Sequence, residues 1–206
     1  MAVNFKKIGK QDSNMKQKSA LKLAFNLFTT HVIGVILSVI LSFGLIVIFD
    51  SILYKFAIGC FVLLIYVVLI SGPAWRIGNE DKNKVKFNRQ QKDIYRGFKL
   101  GLLASVPMFL LAILLLLAKA ELFPNFYVLY KVLNAYAFAF IGIIDHTFEN
   151  VQTAYLTVVS WGQVIAACAF TIIPTIVWGV NYLLGYHDII VMDKLIYKKK
   201  DNSKNS

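Results

Sequence analysis

Asp145, His146 and Glu149 bring two carboxylates and an imidazole into five consecutive positions. On a helix, residues 146 and 149 share a face. A metal site or a proton relay would find its ligands side by side there. The alternative, a solvated turn on the outer surface, is the arrangement expected. Lys131 and Asn134 make a second polar pair, on one face of the otherwise apolar stretch 126–144. Buried within a membrane, such residues mark a functional site. In a helix lying flat on the surface they face water, and the flat arrangement is expected here.

Other chemistry has less to stand on. Cys60 and Cys168 both fall in apolar runs, where cysteine acts as a small apolar residue. Neither Cys-x-x-Cys nor a zinc-like Cys/His spacing occurs. His31 and His187 fall at predicted span boundaries, where a histidine anchors or caps. Gly-x-Ser-x-Gly, His-Glu-x-x-His and P-loop motifs are absent. No predicted central span holds an Asp or Glu, and the two halves show no repeat, features that many coupled transporters use. The reading is therefore of no catalytic residue and no cofactor, with Asp145, His146 and Glu149 as the weak metal candidates.

The elements that must position these residues are long apolar runs. Of 206 residues, 58% are hydrophobic and only 16% charged, with a mean hydropathy of +0.63. About 20 apolar residues in helix cross a hydrocarbon core roughly 30 Å thick. Four runs qualify: 32–49, 52–70, 100–118 and 161–182. The expected fold is all-α, a single polytopic transmembrane domain of four helices. A re-entrant or interfacial helical segment over 124–160 precedes the last span. Residues 1–20 read as a mobile basic N-terminus, and the first run is too long for a signal h-region, so it reads as an uncleaved anchor. Leu21, Ala24, Phe25 and Phe28 form an interfacial lead-in to it.

Local signals refine these elements. Ser71-Gly72-Pro73 predicts the end of the second helix, with Trp75 at the headgroup boundary. Lys55 can snorkel to the surface, within reach of Asp50. Pro174 predicts a kink in the last helix, and Trp178, Tyr182 and Tyr186 an aromatic belt at its exit. Small residues recur every four positions at Gly34, Ser38 and Ser42, at Gly101 and Ser105, and at Gly162 and Ala166. That spacing lets helices approach closely, within one bundle first and across a homo-oligomer second.

Charge orients the bundle. Residues 1–22, 76–99 and 187–206 hold six, eight and five Lys/Arg, which is 19 of the 22. The positive-inside rule puts these three segments in the cytoplasm. Both termini then share that side, which requires an even number of crossings. A net charge of +11 is explained by these flanks, and no nucleic-acid module accompanies it. The basic loop 76–99, with Phe87, Ile94, Tyr95 and Phe98 scattered through it, could meet anionic lipid headgroups. The location expected is a cell membrane, by composition the bacterial plasma membrane. The function expected is non-enzymatic: an accessory, assembly or regulatory subunit acting through lipid or membrane-protein contacts. The alternative is a small transporter or substrate-binding subunit energised by a separate ATPase.

Overall fold

A computed structural model describes residues 2–46, 51–146 and 156–189. These residues are helical and contain no strand. Helices α1 (Ala2–Ile46), α2 (Ile52–Lys86) and α3 (Arg96–Lys119) are each long and apolar enough to cross a membrane. So is the unit Trp161–Tyr186, formed by α6 (Trp161–Ala169), a 3-10 turn over Phe170–Ile172, and α7 (Ile173–Tyr186). The four pack in the cyclic order α1, α2, α7, α3. Apolar side chains such as Ile40, Leu53, Leu64 and Leu110 point outward, as lipid contact requires.

Between the third and fourth spans lies a bent pair, α4 (Tyr127–Leu133) and α5 (Phe138–Ile144), joined by a 3-10 turn over Ala135–Ala137. Its two arms meet at 91°. At Asn134, where α4 ends, the backbone N–H and the side-chain amide both donate to the Tyr130 carbonyl at 3.0 Å. The two ends of the pair lie close together. The Tyr127 hydroxyl, at its start, donates to Asp145, just past its end, at 2.7 Å. Lys119 Nζ, closing α3, donates to the Leu156 carbonyl at 3.0 Å, just before the last span. The 3-10 tip of the pair packs against α1 and α2.

The last span breaks where Pro174 predicts a kink. Proline has no N–H for the carbonyl four residues earlier, here Phe170. That carbonyl accepts from the Ile173 N–H of the 3-10 turn and from the Tyr136 hydroxyl at 3.1 Å, and the Tyr130 hydroxyl donates to Ala167 at 3.2 Å. The re-entrant pair is thus pinned to the broken turn of its neighbour. Tyr136→Phe should cost about 2 kcal/mol, since the one hydroxyl shared by the Asn134 and Phe170 oxygens is lost; denaturation of the purified chain by SDS titration measures it.

Several expectations are corrected. Pro73 does not end the second helix: α2 runs on to Lys86, held by close packing against α7. Residues 76–86 are therefore helix rather than loop, and α1 is already helical from Ala2. Trp178, Tyr182 and Tyr186 form no belt, because all three are buried on the face of α7 turned to α2 and α3. Lys55 is buried, while Asp50, its expected partner, lies outside the described residues. Helices α2, α3 and α7 end with a left-handed residue, Asn88, Glu121 and Asp188. Each is closed by a bond of about 2.9 Å from the next residue back to the helix (Arg89 to Lys84, Leu122 to Leu117, Ile189 to Leu184), the Schellman arrangement without its usual glycine.

Candidate functional site

Polar side chains are gathered at three levels inside the bundle. At the end opposite residues 76–99, Asp145 is buried and forms an ion pair with the buried Lys131. The Lys131 ammonium also lies 4.5 Å from the centroid of the Tyr127 ring. Asp145 is the C-cap of α5 and Lys131 lies in α4, so the pair joins the two arms of the re-entrant element. The expected flat helix is therefore corrected. Lys131 and Asn134 are 4% and 1% exposed, because the bend folds their face inward.

The middle level centres on His31. Its Nδ1 lies 2.6 Å from the Tyr66 hydroxyl, and Tyr66 stacks on Tyr136 with ring centroids 4.2 Å apart. The Tyr136 hydroxyl also lies 3.0 Å from Asn134 Oδ1. Trp178 sets its ring edge-on to His31 at 6.3 Å. Its indole Nε1 is buried with no hydrogen-bond partner among the described residues. His31 was expected at a boundary; it is buried inside the bundle, because α1 starts well before the uncharged run. His187 caps α7.

At the basic end, Asp81 is fully buried. Arg96 Nη1 reaches it at 2.9 Å and Lys84 Nζ at 3.2 Å, and the Tyr182 hydroxyl donates to it at 3.2 Å. One carboxylate thereby ties α2, α3 and α7 together. Asp81→Asn keeps the shape and removes the charge, so it should cost about 2 kcal/mol through weakened charge-assisted bonds. A lower melting temperature in detergent is the expected reading.

The small residues divide. Gly34 faces the Tyr66 ring, where an added Cβ would sit 2.9 Å from it. Ser38 and Ser42 are buried, and Ser42 donates to the Ala135 carbonyl at 3.3 Å. That stripe is covered by α2 and the re-entrant tip, so a second copy cannot use it. Gly101 packs on Thr175, and Ser105 bonds the Thr175 hydroxyl at 2.5 Å. Gly162 is exposed with only Ser160 nearby, and Ala166 is half-buried. Gly162 lies in the first turn of α6, which Ser160 and Gln163 close with a capping box.

Of the candidate metal trio, only Asp145 and His146 fall among the described residues. Asp145 is committed to Lys131 and Tyr127, His146 is exposed just after α5, and Glu149 lies outside the described residues. Among the described residues no three His, Cys, Asp or Glu side chains converge. A crevice lined by Leu27, Ala74, Ile77, Leu100, Trp178 and Tyr182 has no room for a water molecule. Tyr66, Tyr136, Asp81 and Arg96 were not singled out from sequence. The one available signal was a carboxylate, Asp81, amid a basic segment.

What does face outward at the basic end is the α2–α3 hairpin. Lys86, Phe87, Arg89, Lys92, Ile94 and Tyr95 are all exposed. Arg89 sits 6.0 Å from the Phe87 ring centroid. Compared with protein-family models, curated proteins and solved structures, the chain finds no match.

Proposed function

We propose that this chain is a non-enzymatic component of a cell membrane, with both termini cytoplasmic, that works by holding a partner. The observation that carries the reading is the division of its polar groups. Those inside, the Trp178 indole N–H apart, are engaged with one another across helices. Those outside gather as cations and aromatic rings on the hairpin at the basic end. Such a molecule suits an accessory, assembly or regulatory role.

A photo-reactive phenylalanine analogue at position 87 or 95, in the full chain in its native membrane, tests the proposal. A discrete adduct with one protein or with lipid is expected. Adducts no more discrete than those from lipid-facing Leu64 would count against it.

A second reading, a substrate-binding or transport subunit served by a separate ATPase, is favoured by the His31–Tyr66–Asn134 level beneath a re-entrant element, a placement seen in carriers. It requires that level to admit water at some stage. A cysteine introduced at Ala139 should then react with a membrane-impermeant maleimide; its silence during turnover of the cell's transport systems would remove the reading.

A further inference from the structure

The hairpin at the basic end lies well beyond the apolar stretch of α2. Helix α2 has 35 residues, which at 1.5 Å each is about 52 Å. A whole bilayer with its headgroups is about 40–45 Å thick. Gly78 and Gly97 both abut Tyr182, so they mark one level on α2 and α3. From Ile70, where the apolar run of α2 ends, to Lys86 the helix rises sixteen residues, about 24 Å. With Ile70 at the hydrocarbon boundary, Phe87 and Arg89 at the turn lie beyond the roughly 5–8 Å that headgroups add on one side.

Among the described residues, three cations at this tip stand without an acidic partner. Asp81 is taken by Arg96 and Lys84, Asp93 by Lys99, and Lys82 pairs with Asp188. Lys86, Arg89 and Lys92 have no acidic partner among the described residues. Beside them Phe87 is 67% and Tyr95 70% exposed. Large rings left in water between cations are what an interface with an anionic, partly apolar partner would use.

We infer that the tip of the α2–α3 hairpin docks an acidic segment of a partner protein that also carries apolar side chains. The carboxylates would meet Lys86, Arg89 and Lys92, and the apolar side chains would cover Phe87 and Tyr95. The inference rests on the contact role proposed above and adds the chemistry of the partner.

The test uses the full chain in nanodiscs of phosphatidylcholine. The probe is a synthetic peptide of glutamate and leucine, and the control is the same peptide with glutamine for glutamate. Saturable binding of the acidic peptide alone is expected, weakening as salt screens it. The K86E/R89E/K92E variant should lose at least about ten-fold in affinity, near 1.4 kcal/mol, and F87A/Y95A should lose affinity without the salt dependence changing. Because the altered side chains are exposed, unchanged melting of each variant is the control for folding. Equal binding of the two peptides, or none by either, overturns the inference. So does hairpin protection that appears only when phosphatidylglycerol is added, which would name a lipid headgroup as the occupant. A protein adduct from position 87 without acidic-peptide binding would sink only the partner's chemistry. Absence of any discrete adduct would sink the contact role itself.

Discussion

Gly78→Ala and Gly185→Ala should each prevent α2 and α7 from closing, with a loss of about 3 kcal/mol or more of bundle stability. A Cβ at Gly78 would lie 2.1 Å from the Tyr182 carbonyl oxygen, and one at Gly185 would lie 2.0 Å from the Trp75 carbonyl oxygen. Both obstacles are backbone, so no rotamer change relieves them. The helices must separate, and the separation would also stretch the contacts of Asp81 with Arg96 and Tyr182. In a membrane the close approach made by small residues is a main source of helix association. Gly72→Ala is the control. It has nothing within 4 Å of the new methyl, and removing a mid-helix glycine should stabilise by up to about 1 kcal/mol. SDS titration or melting in detergent should therefore move the Gly72 variant and the other two in opposite directions.

Asp145→Ala should be comparably damaging, at about 3–5 kcal/mol. It leaves the Lys131 ammonium buried without its carboxylate and strips the Tyr127 hydroxyl of its acceptor. The expected consequence is release of the re-entrant pair, read as new proteolytic cleavage between residues 120 and 155 and a lower midpoint of unfolding. The pair need not be net stabilising in itself, because taking two charges out of water is costly. The double variant Lys131→Met/Asp145→Leu should therefore recover most of the loss. Failure of the double variant to recover would show that the ion pair does more than hold the two arms together. By contrast, breaking the exposed Lys99–Asp93 contact should change stability by less than about 1 kcal/mol, since both groups keep their water.

These two sites differ in how far they could be read in advance. Lys131, Asn134 and Asp145 are visible in the sequence as polar interruptions of an apolar stretch. Their depth is not, because the same spacing serves a flat helix with its polar face in water and a bent one with that face folded in. Gly185 stands outside any four-residue repeat of small residues, and Gly78 has only Ala74 four residues before it. What makes them necessary is the carbonyl of a distant helix, which no local pattern records. Gly162 shows the reverse: it has the repeat but no neighbour. The helix ends show it again. Asn88, Glu121 and Asp188 do the work that glycine usually signals, so those stops could not be read from glycine positions.

Composition and the order of apolar runs were enough to determine a four-span helical membrane protein with a helical insertion before the last span, and to collect its cations at the ends of those spans. They suffice because the cost of exposing backbone and charge to hydrocarbon acts on each stretch of chain by itself. Tertiary structure alone decided that α2 runs on past Pro73 to Lys86, that the insertion bends by 91°, and that His31, Tyr66 and Tyr136 meet at mid-bundle. Those outcomes depend on contacts between residues far apart in the chain: a carbonyl freed by Pro174 that Tyr136 can reach, and a carboxylate at position 81 that three helices share.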